Sequence, residues 1–245
     1  MKKSFCISIF LLVLFPSLLQ SCGETKTTII LSKSSSNYVE WISNEATIVL
    51  DAYNISNTDS ILALADGIIL TGGEDINPLM YGDSLNLEVC ETINYRRDTL
   101  EKKLMDYALA NKIPLIGVCR GMQMLNVATG GSLYGDIPSQ LGAEVIHRDQ
   151  GEVMHEILLT EKCPLIFPLN QDTFMVNSWH HQGLKEVADI LTVVARSYDG
   201  LPEALIVDQE VHPYMVAVQF HPERLGTEHP IHKRMRESFY DAMKK

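Results

Sequence analysis

Short runs of apolar residues alternate with longer amphipathic stretches along most of this chain. The runs are rich in Ile, Leu and Val and are bounded by glycine or polar residues, a pattern typical of buried β-strands. The chain therefore predicts many short strands that are joined by helices and loops. We predict strands at residues 28–31, 47–50, 67–70, 115–118, 144–147, 157–159, 174–176, 191–195, 205–207 and 216–220.

The clearest amphipathic stretch is residues 97–110, in which apolar side chains recur at helical spacing. Arg97 and Glu101 have the spacing of an opposite-charge pair on a helix, and so do Asp98 and Lys102. We predict a helix here with two ion pairs along it.

Two further helices are predicted. Residues 122–128 form one that ends before Gly130, and the last helix of the chain begins at Pro230. Strands that alternate with helices favour an α/β fold, in which a mostly parallel sheet is covered by helices on both faces. In such folds ligands bind beyond the carboxyl ends of the strands.

One predicted strand leads into a cysteine that is flanked by glycines, in the order Gly117-Val118-Cys119-Arg120-Gly121. A cysteine in the first turn of a helix lies near unpaired N–H groups and the positive end of the helix dipole, which stabilise a thiolate. The N–H of Arg120 could also face the carbonyl oxygen that Cys119 attacks. The motif is the cysteine counterpart of a nucleophile elbow. A buried structural cysteine is the alternative for this motif alone.

A second chemical signal follows the strand at 216–220. His221 and Glu223 are two residues apart, so in an extended backbone they project to the same side. Glu223 could orient the imidazole while His221 exchanges protons with Cys119, which would complete a triad. Taken alone, His-Pro-Glu is also typical of a surface turn.

The strand at 67–70 ends at Gly72-Gly73, a turn that exposes backbone N–H groups. Gly73, with Gly72 as the alternative, could supply a second oxyanion donor opposite Arg120. An ordinary strand-exit turn would look the same. Because this turn, Cys119 and His221 all follow strand ends, the predicted fold places them at one edge of the sheet.

With these segments the chain resembles the class I glutamine amidotransferase-like superfamily, and within it the γ-glutamyl-γ-aminobutyrate hydrolase and γ-glutamyl peptidase group. The resemblance runs from about residue 29 to the C-terminus. It includes residues 70–78, 97–98, 117–137, 176–182 and 219–223. It implies a three-layer, flavodoxin-like domain and hydrolysis of a γ-glutamyl amide bond, with glutamate as product and no cofactor.

The resemblance also implies roles for particular residues. The nucleophile would be Cys119, which forms a glutamyl thioester, and the triad would be completed by His221 and Glu223. The remaining implied residues are the oxyanion donors Gly73 and Arg120 and the glutamyl-pocket residues Gln123, His180 and His181. Trp179 stands where relatives commonly carry a smaller aromatic side chain.

Two other functions fit a chain of this kind. One is a glutaminase subunit that passes ammonia to a synthase, and the other is a surface binding protein that has kept the fold without its chemistry. The expected partner is a small γ-glutamyl molecule in the first two cases. The sequence leaves the oligomeric state open, a homodimer included.

Charge and metal motifs narrow the range of partners. The formal charge is −11, and it becomes −13 if a leader that contains Lys2 and Lys3 is removed. An acidic domain does not attract nucleic acid.

The histidines at 147, 155, 180, 181 and 221 raise the question of a metal, but no His-Glu-x-x-His motif or paired cysteine spacing is present, so we predict no metal.

The first residues have the pattern of a bacterial lipoprotein leader. A basic start is followed by an apolar stretch from Phe5 to Leu19, and then by Leu19-Gln20-Ser21-Cys22, which resembles a lipobox. We expect a signal peptide at 1–21, lipidated Cys22 with a tether at 22–27, and one domain at 28–245. The protein would then be exported and anchored by lipid to an envelope membrane, facing the periplasm. An ordinary secretory peptide is the alternative.

Five cysteines are present, of which Cys6 would be lost with the leader and Cys22 acylated. The remaining three are too few for a disulfide framework. A bridge between Cys90 and Cys163 is compatible with an oxidising compartment, but unpaired buried thiols fit the sequence better.

The lipid anchor can be tested directly. Cells that express the chain and grow with radiolabelled palmitate should label it, and Cys22→Ala should abolish the label because Cys22 is the acceptor. Cys6→Ala is the control and should cause no loss. Label that survives Cys22→Ala would place the anchor elsewhere.

Overall fold

The computed structural model describes residues 26–244, so the predicted signal peptide, Cys22 and most of the tether lie outside the described residues. These residues form eleven strands, namely β1 (Thr27–Leu31), β2 (Thr47–Asp51), β3 (Gly67–Leu70), β4 (Leu115–Val118), β5 (Ser132–Tyr134), β6 (Val153–Leu159), β7 (Thr173–Ser178), β8 (Gly183–Glu186), β9 (Leu191–Ser197), β10 (Pro202–Val207) and β11 (Met215–Val218). They also form six α-helices, namely α1 (Ser36–Ile42), α2 (Asp59–Leu62), α3 (Tyr95–Asn111), α4 (Arg120–Ala128), α5 (Ile137–Gln140) and α6 (Pro230–Met243). Between residues 26 and 244, no helix has the length and apolar character that a membrane span requires.

Nine strands form the central sheet in the order β2-β1-β3-β4-β11-β10-β9-β6-β7. The first five are parallel, and antiparallel ladders attach β10, β9, β6 and β7 beyond them. β5 and β8 pair separately as a two-stranded sheet. The predicted α/β fold with a mostly parallel sheet is confirmed, and the parallel strands bring the ends of β3, β4 and β11 to one edge.

Helices cover both faces of the sheet. Side chains along each strand alternate between the two faces, so the apolar strands expose two apolar surfaces that the helices bury in two separate cores. On one face Ile29 packs with Trp41 of α1 and Phe239 of α6. On the other face Ile30 packs with Leu104 of α3 and with residues of α2 and α4. Continuous apolar runs such as the one in β1 are therefore buried on both sides, as the sequence pattern predicted.

Two predictions about local structure were wrong or incomplete. Residues 144–147 form an irregular segment and no strand, and the carbonyl of His147 accepts hydrogen bonds from His180 N–H and from Ser178 Oγ. These two hydrogen bonds come from the end of β7 and the loop after it, and residues 144–147 form no β-ladder with another strand. The short strands β5 and β8 were missed because each contributes only a few residues and pairs only with the other.

The cysteines of the described residues are free, so Cys90 and Cys163 form no bridge. Cys163 is buried in the apolar core, and burial raises the pKa of its thiol. Cys90 is half-buried and accepts a hydrogen bond from Gln182 Nε2 at 3.3 Å.

The ion pairs of α3 differ in part from those predicted. Arg97 does pair with Glu101, at 2.8 Å, but both side chains are buried. The predicted pair of Asp98 with Lys102 is wrong, because Asp98 binds Arg120 of α4, while Lys102 binds Asp106 in solvent. Arg120 also binds Glu101, so two arginines and two carboxylates form one buried network between α3 and α4.

This contrast predicts unequal losses of stability along one helix. Glu101→Gln should lower the free energy of unfolding by about 3–5 kcal/mol, because it leaves two buried guanidinium groups short of a counter-charge. Lys102→Gln removes an exposed pair of the same spacing and should cost less than about 0.5 kcal/mol. Urea unfolding followed by circular dichroism measures both, and similar losses in the two variants would contradict the buried network.

Candidate active site

The turn that carries Cys119 is strained as a nucleophile elbow requires. Cys119 follows β4, precedes α4, and has φ 52° and ψ −105°, a conformation that costs a non-glycine residue about 1–3 kcal/mol. Its N–H donates to Val218 O of β11 at 2.8 Å, which helps to hold the turn in place. A side chain at Gly121 would overlap the carbonyl of Leu70, so glycine is needed for α4 to approach β3.

His221 lies just beyond β11, the strand next to β4. Its Nδ1 is 2.7 Å from Glu223 Oε1, and both side chains are buried. The backbone of His221 is fixed from the other side by Asn177 of β7, whose side chain accepts from His221 N–H at 2.8 Å and donates to His221 O at 3.0 Å. Sequence reasoning did not identify this role of Asn177, because its distance along the chain gives no sign of it.

The electrostatic surroundings of His221 favour the imidazolium. Burial alone lowers the pKa of His221, but the Cys119 sulfur, which also forms a hydrogen bond with the ring, and Glu223 outweigh that effect. Together they raise the pKa of His221 to about 10. The surroundings therefore suit a protonated His221 beside the Cys119 sulfur, with the ring oriented by the Glu223 carboxylate.

The two glycines after β3 have different roles. Gly72 N–H already donates to Tyr38 Oη at 2.8 Å, and a Cβ on Gly72 would lie 2.7 Å from His221 Cε1. Gly73 instead lines the same cleft as Cys119 and has φ 155°. Arg120 is the first residue of α4, so its N–H has no partner within the helix. The N–H of Gly72 is thus occupied, whereas Gly73 lines the cleft and the N–H of Arg120 has no partner within its helix.

Two buried arginines hold the loop that carries these glycines. Arg97 donates to Thr71 O and to Gly72 O, both at 2.8 Å, and to Glu74 Oε2 at 2.6 Å. Arg120 Nε donates to Glu74 O at 2.8 Å. The sequence suggested a role only for the backbone of Arg120, whereas its side chain ties the loop after β3 to the turn after β4.

The cleft has a volume of about 420 Å³ and opens over Cys119. It brings together five residues that the sequence singled out, namely Gly73, Cys119, Gln123, His180 and His181. Its other lining residues were not predicted as a pocket, because they come from separate loops. They are Glu74, Asp75, Glu91, Thr92, Arg148, Trp179 and Gln182.

His180 and His181 both line the cleft because they lie in the loop after β7, where strand alternation does not apply. The His181 ring lies between Asp75 and Asp136, at 3.1 and 3.2 Å. Burial lowers the pKa of His181, but hydrogen bonding to Asp75 outweighs burial and raises it. His181 is therefore held in the cleft wall between two carboxylates that favour its protonated form.

The other two predicted pocket residues, Gln123 and His180, are both held by hydrogen bonds to the carbonyl of Gln182. The side chain of Gln123 donates to Gln182 O at 3.1 Å, which fixes the wall of the cleft from inside. His180 Nδ1 is 2.9 Å from the same carbonyl, so the rest of its ring points away from Gln182 and toward Glu203. Trp179 meets His221 edge to face, with ring centroids 5.5 Å apart.

Comparisons with known proteins agree with this geometry. The family model described as Peptidase C26 matches residues 17–223. The chain is 39% identical over 180 residues to the glutamine amidotransferase-like protein YvdE of Lactococcus lactis, covering 72% of this chain and 73% of the relative. It is 35% identical over 195 residues to the gamma-glutamyl-gamma-aminobutyrate hydrolase PuuD of Escherichia coli, covering 75% and 74%.

Solved structures show the same fold at low sequence identity. A glutamine amidotransferase from Thermotoga maritima superposes with a TM-score of 0.57 at 18% identity, covering 89% of this chain and 83% of that one. The glutaminase domain of Trypanosoma brucei CTPS, solved with bound acivicin, gives 0.58 at 16% identity and covers 89% and 94%.

The charge on His221 can be tested by NMR. In Cys119→Ala the pKa of His221 should fall by about 1–3 units, because burial still lowers it and the sulfur no longer offsets that effect. Wild-type His221 should keep its proton until the pH rises to about 10. Imidazole Hε1–Cε1 resonances report both values, with His212, which contacts Ala108 O, as an unchanged reference. An equal His221 pKa in the two proteins would refute the pairing.

Proposed function

The chain belongs to the Peptidase C26 family, and on that premise we propose that it hydrolyses the γ-glutamyl amide bond of γ-glutamyl amines or peptides and releases glutamate. The observation that carries the proposal is the arrangement at one sheet edge. Cys119 lies on a strained turn beside His221, and Glu223 orients His221 at 2.7 Å. The name of the Escherichia coli relative supports γ-glutamyl amide hydrolysis as the reaction.

In the first half of the proposed reaction, the Cys119 thiolate attacks the γ-carbonyl carbon. The oxygen becomes an oxyanion, which the N–H groups of Gly73 and Arg120 stabilise. His221 then donates its proton to the leaving amine as the carbon–nitrogen bond breaks. The product of this half is a glutamyl thioester on Cys119.

In the second half, neutral His221 takes a proton from a water molecule, which attacks the thioester carbonyl. The carbon–sulfur bond breaks, glutamate leaves, and the thiolate–imidazolium pair forms again. Glu223 keeps the ring in one tautomer through both halves, because its carboxylate accepts from Nδ1–H.

The charges of the cleft suit the amino acid end of a γ-glutamyl group, which carries an ammonium and a carboxylate. Asp75 and Glu91 line the cleft and would receive the ammonium. Arg148 and His181 line it too and would receive the carboxylate. Arg148 lies 3.0 Å from Glu91 and His181 lies 3.1 Å from Asp75, so both signs are held next to each other.

A second candidate is a glutaminase that supplies ammonia to a synthase. The names of several relatives and structural neighbours, which are glutamine amidotransferase-like or glutaminase proteins, favour it. The two functions share the first half of the chemistry and differ in the leaving group. Glutamine would then be the preferred substrate, and a synthase would raise its turnover.

We also propose that the enzyme works outside the cytoplasm and is held at a membrane by lipid on Cys22. The support comes from the sequence of residues 1–22, with its basic start, apolar stretch and lipobox-like end. The substrates would then be γ-glutamyl compounds of the cell envelope.

The activity is tested by incubating the protein with γ-glutamyl-p-nitroanilide, γ-glutamyl-γ-aminobutyrate, γ-glutamyl dipeptides and glutamine, and by measuring glutamate. We expect release from γ-glutamyl amines or peptides, and a loss of about 10⁴-fold or more in kcat for Cys119→Ala because the nucleophile is gone.

Cys163→Ala is the matched control, since Cys163 is a free buried cysteine of the apolar core. It should keep the wild-type rate within about threefold, because core truncations act mainly on stability. Glutamine as the sole good substrate would favour the glutaminase. Release that is equal in wild type and Cys119→Ala, or absent for every substrate, would overturn the proposal.

A further inference from the structure

A cluster of buried titratable side chains extends from the cleft wall into the interior and makes or breaks no bond in the proposed reaction. It consists of His147 in the loop after α5, His155 on β6, His180 in the loop after β7, and Glu203 on β10. All four are buried, and Glu203 is 0% exposed. The ring centroid of His147 lies 4.9 Å from that of His155 and 4.7 Å from that of His180. We call these four residues the His₃Glu cluster.

The polar atoms that face each other in the His₃Glu cluster lack well-aligned hydrogen bonds. Within the described residues, no well-aligned hydrogen bond reaches His147 Nδ1, His180 Nε2 or either carboxylate oxygen of Glu203. The nearest partner of Glu203 is His155, whose Nε2 lies 3.3 Å from Glu203 Oε1. Burial of the ring lowers the pKa of His155, but that carboxylate outweighs burial and raises it. Buried polar atoms are almost always paired, and an unpaired buried carboxylate is especially costly. The cluster thus has many electron-pair donors and is short of a positively charged partner.

Two of the three histidines lie at the distances from Glu203 that are expected of ligands around one ion, and His180 lies slightly farther away. Glu203 Oε1 lies 3.3 Å from His155 Nε2, 3.6 Å from His147 Nδ1 and 3.8 Å from His180 Nε2. Bonds of about 2.0–2.2 Å to a tetrahedral zinc ion place neighbouring ligand atoms about 3.3–3.6 Å apart. The ligand atoms of His147, His155 and Glu203 all lie within 4.8 Å of one another.

Two of the histidines are held as metal-binding histidines usually are, through the ring nitrogen that faces away from the cluster. His147 Nε2 is 2.8 Å from Asp199 Oδ2, and Asp199 is itself bound by Ser197 Oγ. His180 Nδ1 is 2.9 Å from Gln182 O. A carboxylate or carbonyl in this position accepts a hydrogen bond from the N–H of the outer nitrogen, so the inner nitrogen carries no proton and is free to bind a metal.

We propose that the His₃Glu cluster binds a divalent transition-metal ion, best matched by Zn²⁺, with His147, His155 and Glu203 as ligands and His180 as the fourth. Imidazole and carboxylate donors without thiolates suit Zn²⁺. With four protein ligands the site is closed and structural. It would fix the segment from Trp179 to Gln182 from behind, and so the wall of the cleft. The four ligands come from separate segments, which is why the spacing of the sequence predicted no metal.

The test is metal binding by the full chain, purified in detergent without a polyhistidine tag and stripped with a chelator. Titration with Co²⁺ should give the intense visible absorption of tetrahedral cobalt at one ion per chain, and Zn²⁺ should displace it. Zn²⁺ should also raise the Tm, because it binds the folded chain.

Glu203→Gln keeps the shape of the side chain and removes its charge. It should abolish the cobalt spectrum and the Tm shift. Asp199 is not a ligand but holds the outer nitrogen of His147, so Asp199→Asn should weaken metal binding about 10–100-fold. This variant keeps the test decisive if Glu203→Gln does not fold. His229→Asn is the control, because His229 caps α6 through its side chain and asparagine can do the same. It should bind as wild type does.

Stripped protein that gives neither a cobalt spectrum nor a Tm shift would overturn the proposal and leave the cluster as a metal-free pairing of Glu203 with histidines. Binding that is equal in wild type, Glu203→Gln and Asp199→Asn would place the metal elsewhere and overturn it as well. These measurements need no substrate, so their outcome is independent of the proposed hydrolase activity.

Discussion

The guanidinium group of Arg97 connects the parts from which the cleft is built. It donates hydrogen bonds to Thr71 and Gly72, the two residues that follow β3. It also binds Glu74 in the same loop and Glu101 on its own helix. Five donors in a fixed plane suit this arrangement, and a lysine could not replace them. Because Arg120 also binds Glu101, the position of the Cys119 turn and the position of the glycine loop are set by one buried group of charges.

Buried charge also governs the chemistry of the site. The interior normally disfavours an imidazolium, yet His221 keeps one because a sulfur and a carboxylate lie on either side of it. His181 is held in the same manner between two aspartates, but in the cleft wall. The protein thus raises the pKa of two histidines by similar means, and the proposed reaction uses one for proton transfer and the other for recognition.

The sequence predicted those features whose signals are local. The apolar runs of β1, β3, β4 and β11, the glycine-flanked Cys119 and the His-x-Glu pair at 221 and 223 each lie within a few neighbouring residues. Features that depend on contacts between distant segments were missed, such as the pairing of Asp98 with Arg120 and of Asn177 with His221. The prediction for the segment at 144–147 failed for the opposite reason, since its local pattern fits a strand but the carbonyl of His147 bonds only to the last residue of β7 and to the loop that follows it.

The place of β11 in the sheet has a consequence for how the protein matures. It is the last strand along the chain, yet it lies at the centre of the sheet between β4 and β10. The parallel half cannot join the antiparallel half until this strand inserts, and loop closure over so many residues is slow. His221 follows this strand, so it cannot reach Cys119 until residues 215–221 have been synthesised and β11 has paired with β4.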